Sequence, residues 1–516
     1  MARNLWGWGD ESAAVEVEEI RPRVEGFLGA VELRQPEPPR VPEPRLAIPA
    51  ELVGFSSADP LVRAAHAMGK SYLDRIRGFG GDFSSAPDVV SRPRSEDELV
   101  RVLEVAERER LAVVPYGGGT SVVGGVEPAP RADQAGAVTV DLGALCRLLE
   151  LDDVSRLARL EAGILGPALE GALGERGFTL RHFPQSFEFS SLGGWIATRA
   201  GGHFATGPTH IDDLLAAVRM VTPRGPLETR CLPATGAGPE PKAWVLGSEG
   251  TLGVITEAWL RIRPRPVHRA SASVHFADFW RGVDAARAIA QSGLAPANCR
   301  LLDAQEAMLN GVATDGSSVL LLGFESAEVP QEAWLEAALA LAKPFAASWA
   351  TAEGGGAAGA GESWRRSFLR GPYLQDALIR LGVVADTFET ACPWRAFPGL
   401  HAAVAAEVGD ALERVCGGGL LSCRLTHVYP DGPAPYFTFL GRARRGAEAE
   451  QWQAVKRAAS DAVLRSGGTI THHHAVGRVH RPWYERERSP AFGAALAATK
   501  RALDPAGVLN PGVLLG

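Results

Sequence analysis

Cysteine is scarce. Six residues, at positions 146, 231, 299, 392, 416 and 423, are scattered over 516 with no Cys-x-x-Cys pair. Such spacing gives no hint of a disulfide framework or an iron–sulfur cluster and suits a reducing compartment. Long apolar runs are also missing, so no bilayer-spanning helix is expected, and Met1-Ala2-Arg3-Asn4-Leu5-Trp6 lacks a secretory hydrophobic region. Leu514-Leu515-Gly516 is not a peroxisomal address, which leaves the cytoplasm as the default compartment. Positive charge is not in excess. A formal net charge of −7 argues against a broad nucleic-acid surface, so no nucleic-acid partner is expected. No internal repeat is visible.

What is present is a chain too long for one core, with two or three domains expected. The first 50 or so residues, rich in Pro, Arg and Glu, read as extended chain over the body, with Trp6 and Trp8 as anchors. Ser95 caps an expected helix over 95–108, with Leu99, Val102, Leu103 and Val105 on one face. Strands are expected at 111–115, 137–141 and 157–161, and a helix at 167–176. Beyond Pro264-Arg265-Pro266 the pattern predicts amphipathic helices over 276–292 and 331–341, then a low-complexity mobile loop at 352–361. The turn-rich tail Leu503–Gly512 is expected to lie against another domain. This mixture points to an α+β class rather than a regular βαβ succession.

Two kinds of segment carry chemistry. Tyr116-Gly117-Gly118-Gly119-Thr120-Ser121 follows a strand directly, so several backbone N–H groups can converge on a pyrophosphate. It is neither a Walker loop nor Gly-x-Gly-x-x-Gly opening a helix, and alone an ordinary turn explains it almost as well. Phe183–Gly202 and Gly247–Thr256 are two further glycine/serine loops joined to apolar segments. The second kind is Thr471-His472-His473-His474-Ala475-Val476-Gly477. Gly467-Gly468-Thr469-Ile470 before it reads as a turn and a short strand. Successive strand residues face opposite ways, so at most two of the three histidines share a pocket, and no metal site is expected from the run alone.

Together, in this order and spacing, the three loops over residues 85–265 resemble the FAD-binding domain of the vanillyl-alcohol oxidase (PCMH-type) flavoproteins. More of the chain resembles the alkyldihydroxyacetonephosphate synthase branch: Pro115–Ser121, Val221–Gly225, Gly247–Thr256, Arg300–Asp303, Cys423–Thr426, Tyr436-Phe437 and Thr471–Gly477. The resemblance implies non-covalent FAD held by Pro115, Tyr116, Gly117, Gly118, Gly119, Thr120 and Ser121, by Gln185, Ser186, Ser191, Gly194, Thr198 and Gly201, and by Glu249, Gly250, Thr251, Gly253, Val254 and Ile255. A histidine such as His203 can carry a covalent link in this fold; the resemblance implies that it does not. It further implies that flavin N5 attacks C1 of an acyl-dihydroxyacetone phosphate, expels the fatty acid and accepts a fatty alcohol, with no net redox change.

By the same resemblance, Tyr436 is the general acid/base that moves a C1 proton. His472, His473 and His474 are the active-site histidines, and Arg424 and Arg300 the active-site arginines. A planar guanidinium suits a phosphate monoester. A tyrosine, with its high reference pKa, needs neighbouring cations to act as a base near neutrality. The plainer readings stay open: Arg300 and Arg424 as structural ion-pair partners, Tyr436 as a core strand residue. So does oxidation of a 2-hydroxy acid or alcohol in the same fold, although the Gly-Glu-His-Gly-x-Gly common in such oxidases is absent. Gln185, Tyr116 and the stretch His203–His210 depart from the family and leave chain specificity open.

The expected organisation is an N-terminal segment over 1–84, the FAD-binding domain over 85–265, a cap or substrate domain over 266–465, and a C-terminal segment over 466–516 that returns to the FAD domain. The expected partner is an amphiphilic, lipid-like small molecule. Its chemistry leaves room for peripheral membrane contact, and the resemblance for a homodimer.

Overall fold

The computed structural model describes residues 4–204, 210–351 and 360–515. Residues 352–359 of the low-complexity loop and 205–209 of the His203–His210 stretch lie outside the described residues; 360–361, expected in that loop, instead open helix Ala360–Arg380.

Three larger sheets, beside a two-stranded pairing of Phe178–Thr179 with Arg263–Pro264, organise the described residues. The first has strands in the order Ser56–Ser57, Val89–Ser91, Gly136–Asp141, Leu111–Tyr116, the last three parallel. Helix Glu96–Glu109 feeds it. The Ser95 hydroxyl accepts from the Glu98 amide, and Leu99, Val102, Leu103 and Ala106 are buried. The second is antiparallel, in the order Leu148–Asp152, Leu157–Glu161, Val254–Arg261, Leu215–Thr222, Gly225–Glu228. Leu111–Tyr116 runs straight into the first glycine loop, and helix Leu192–Thr198, capped by Ser191, carries the second.

After Pro264 a seven-stranded antiparallel sheet begins, in the order Ser348–Thr351, His268–Phe276, Ser318–Ser326, Asn298–Leu302, Gly419–Val428, Pro433–Arg442, Val383–Glu389. Strand periodicity decides what this sheet does. Leu301, Cys423, Leu425, Phe437 and Phe439 point to one face and bury against Phe397, Leu400, Val404 and Leu412 of helix Phe397–Cys416. Arg300, Leu302, Arg424, Tyr436 and Thr438 occupy the other face. Register aligns them in a row, with Leu302 opposite Arg424, Arg424 opposite Tyr436, and Tyr436 opposite Glu389.

Two local expectations are corrected. Residues 268–276 form a strand, because Ala270, Ala272, Val274 and Phe276 alternate as buried positions. The helix starts only at Phe279, where Asp278 accepts the amides of Trp280 and Arg281. The histidine run is not a strand end. Residues 466–467 turn as expected, and 470–474 then bend around a buried carboxylate described below.

The N-terminal segment includes helix Val17–Leu28 besides extended chain. Trp8 is buried; its amide donates to Asp376 (2.6 Å), which also pairs with Arg75 (3.0 Å). The tail returns to the first sheet. Val113 N donates to Val508 O and Asn510 N to Val113 O, both at 2.8 Å. All six cysteines are free, and no described helix is long and apolar enough to cross a membrane.

Candidate active site

A cavity of about 420 Å³ lies between the glycine loops and the inner face of the seven-stranded sheet. All of Pro115–Ser121 line it, with Gln185, Ser186, Ser191, Gly194, Thr198, Gly201, Glu249, Gly250, Gly253 and Ile255. Arg300, Arg424, Tyr436, His473 and His474 line the opposite side. Three expected residues do not reach the wall. Val254 is the outward neighbour of Ile255 on one strand and packs in the core behind it. Thr251 is buried, its hydroxyl donating to Ser248 O (2.7 Å). His472 turns away toward Tyr429.

The glycine loops fit a dinucleotide. A Cβ on Gly117 would meet Ser191 Oγ at 1.9 Å, and one on Gly118 would meet Phe189 O at 1.8 Å, so two loops approach at backbone distance. The amides of Gly117, Gly119, Thr120 and Ser121 donate to no other described residue. Clustered N–H groups of this kind make an anion nest. Gly118→Ala is therefore expected to yield folded protein purified without flavin, read from its visible absorbance; a variant retaining a full complement of FAD would contradict this use of the loop.

Glu249 lines the wall but acts on the protein. Its oxygens accept the amides of Val476 (2.9 Å) and Gly477 (2.8 Å), tying the third loop to the histidine segment. Burial pushes its carboxyl up to about 7 against those two hydrogen bonds.

Glu389 organises the histidines. Its carboxylate accepts the amides of His472 (2.6 Å), His473 (3.0 Å) and His474 (2.9 Å) and the Thr471 hydroxyl (2.6 Å). Burial works to raise its pKa, and the surrounding histidines and Thr471 hold it well below the usual range. Burial pushes the imidazoles down as well, His472 and His473 to about 3 and His474 to about 4. They are thus neutral near pH 7, where the three amides and the Thr471 hydroxyl satisfy the ionised Glu389 carboxylate; histidine charge adds to this only at lower pH. An ordinary histidine base loses roughly fivefold of its neutral form between pH 6.5 and 5.5. Here saturating turnover is expected to stay flat over pH 5.5–7; a fall with a midpoint near 6.5 would show that the imidazoles titrate normally.

Tyr436 donates to Thr387 Oγ1 (2.8 Å). The Arg424 guanidinium carbon lies 3.8 Å from its ring centre. The expected cation is in place, yet burial outweighs it and raises the phenol pKa. Tyr436 therefore keeps its proton at neutral pH, and the neutral rings of His474 (centroids 5.5 Å apart) and His473 (6.2 Å) lie beside it.

The two arginines differ. Arg424 pairs with buried Glu306, which also accepts the Ser422 hydroxyl. Arg300, with no exposed surface, donates to His203 Nδ1 (3.1 Å) and His203 O (3.2 Å) and lies over Trp364, and its Nε has no partner. Among the described residues no carboxylate pairs with it. Burial and the Arg424 charge press it down to about 9, so it is still a cation at neutral pH.

Glu389, Glu306, Thr387, His427 and Tyr429 were not legible as site residues. Glu306 follows Asp303 at helix-capping spacing, the one local signal among them. His427, His472 and His473 each bring one ring nitrogen within 4.8 Å of the others, so the cluster that the run cannot form alone is completed from strand Gly419–Val428.

A family model described as an FAD binding domain matches residues 87–229, and one described as the C-terminal domain of FAD linked oxidases matches 265–514. With the loop geometry, they define a flavoprotein enzyme whose cofactor is FAD. An alkyldihydroxyacetonephosphate synthase of Trypanosoma brucei brucei is 30% identical, covering 89% of this chain and 78% of its own. One of Caenorhabditis elegans is 32% identical, covering 88% and 80%. A solved alkyldihydroxyacetonephosphate synthase superposes with a TM-score of 0.80 at 25% identity, over 99% of this chain and 98% of the other. The chain belongs to the alkyldihydroxyacetonephosphate synthase branch of the FAD-linked oxidase family.

Proposed function

We propose that this protein exchanges the fatty acyloxy group on C1 of an acyl-dihydroxyacetone phosphate for a long-chain alcohol, without net redox change. The observation that carries the reading is Arg300, a buried cation that pairs with no carboxylate among the described residues, in the wall that also holds Tyr436 and the neutral histidines. A phosphate monoester supplies the missing anion. Trp364, Phe368, Leu374, Leu378 and Leu440 give the same cavity an apolar stretch for an alkyl chain.

FAD held by the glycine loops would supply a nucleophilic ring nitrogen for the exchange at C1. The protein does the rest. Arg300 positions the phosphate, and Arg424, fixed by Glu306, sets the Tyr436 ring. A neutral imidazole takes the C1 proton and Tyr436 returns one; His473 takes the proton of the entering alcohol. His203 is engaged by Arg300, which favours non-covalent FAD. The FAD unit over 85–265, cap over 266–465, N-terminal segment over 1–84 and C-terminal segment over 466–516 belong to this reading, as does peripheral membrane contact, supported by the amphiphilic substrates.

The test is turnover of palmitoyl-dihydroxyacetone phosphate with hexadecanol in the absence of oxygen. Ether product and fatty acid are expected in equal amounts, at the rate seen in air. Peroxide formation with a hydroxy acid, and no ether, would overturn it.

A further inference from the structure

Resting on that function, one requirement is left unmet by the residues around C1. An ester and an alcohol become an ether and a fatty acid, and a carboxylic acid is ionised at neutral pH. Each turnover therefore releases one proton, which must leave the cavity.

A route exists at the histidine run. His473 lines the cavity and keeps 16% of its side-chain surface. Its Nδ1 is 2.9 Å from His472 Nδ1. His472 Nε2 lies 2.7 Å from the Tyr429 hydroxyl. Tyr429 is partly exposed and stands beside exposed Pro430 and Asp431, at the turn joining strands Gly419–Val428 and Pro433–Arg442. These contacts are within hydrogen-bond distance and run from the cavity toward the surface. We propose that His473, His472 and Tyr429 form a proton relay that exports the alcohol's proton to solvent.

The protons balance. At the start His473 carries its N–H on Nδ1, His472 on Nε2, and Tyr429 its O–H toward solvent. The alcohol oxygen bonds to C1 and gives its proton to His473 Nε2. His473 Nδ1–H passes to His472 Nδ1, His472 Nε2–H to the Tyr429 oxygen, and the Tyr429 proton to water. One proton enters and one leaves, and turning of the rings restores the first tautomers. Glu389 Oε2, 3.6 Å from His473 Nδ1, steadies the transient imidazolium, while the Glu389 hydrogen bonds to both backbone amides fix the spacing of the rings. Burial keeps both imidazoles neutral between transfers. Other titratable groups facing the relay include His427, tilted against His472 at 5.0 Å, His210, 5.8 Å from it, and His474, 4.8 Å from His473, with Asp212, Asp213 and Asp431 acting on Tyr429.

Tyr429 acts through His472 and touches no substrate, so a rate loss alone would not identify it. The experiment uses FAD-loaded full-length Tyr429→Phe, with ether formation measured against increasing imidazole or ammonium buffer at fixed pH and ionic strength. The wild-type rate should not depend on buffer concentration. The variant is expected to be slower by about tenfold, to show a larger solvent deuterium isotope effect, and to recover as the small carrier replaces the missing hydroxyl. His472→Asn should behave alike, with KM little changed in both. A Tyr429→Phe enzyme at the wild-type rate, or a slow one indifferent to buffer and to deuterium, would overturn the relay. A wild-type protein that forms no ether fails the functional reading instead, so the two failures are separable.

Discussion

Tyr436→Phe should bind FAD as the parent does and form ether about a thousandfold more slowly, within the range that a positioned acid/base group contributes. The substitution removes one oxygen. The ring stays under Arg424 and beside His473 and His474, and loss of the bond to Thr387 costs roughly 1 kcal/mol. A structural role would therefore show as a small stability change with activity nearly intact. The proposed role removes the proton-bearing group that faces C1, so exchange of the C1 hydrogen with deuterated water should disappear along with turnover. Flavin absorbance, the melting temperature and mass-spectrometric exchange at C1 separate the two. A variant with near wild-type exchange and rate would return Tyr436 to the core.

Arg300→Met should separate stability from function. Among the described residues no carboxylate pairs directly with Arg300, so the substrate-free protein loses a buried charge without a close partner and should melt at the same temperature or higher. Removing one side of a buried charged pair costs about 2–5 kcal/mol in binding, so kcat/KM for the phosphorylated substrate should fall by roughly thirtyfold to several thousandfold. The preference for acyl-dihydroxyacetone phosphate over its dephosphorylated analogue should collapse with it. Arg424→Met is the contrast. It strands the buried Glu306 carboxylate and should destabilise the fold by about 3–5 kcal/mol. The two arginines share one sheet face, and only their partners distinguish them. An Arg300→Met enzyme that kept its preference for phosphate would place phosphate binding elsewhere.

Those partners mark the limit of the sequence. The glycine loop could be placed on the cavity wall because close approach there needs backbone that only glycine allows, and Arg300, Arg424 and Tyr436 because they belong to a family pattern. Alternation then put all three on one face. The conformation of His472–His474 could not be read locally. Glu389 gathers its amides from 83 residues or more upstream, overriding the turn-and-strand pattern of 467–470. For the same reason Tyr436 was open to reading as a base: Arg424 is visible in sequence, whereas the burial that outweighs it is a tertiary property. The misplaced helix start at 276 was decidable, since Asp278 is a capping residue and the period before it is two.

Exchange at C1 rather than at the acyl carbon is the central claim. The most direct measurement is anaerobic turnover with hexadecanol labelled with oxygen-18. The account predicts the label in the ether bond of the product, both oxygens of the released palmitate unlabelled, and oxidised flavin at the end. Label in a hexadecyl palmitate ester, or product that forms only as flavin is reduced, would contradict it.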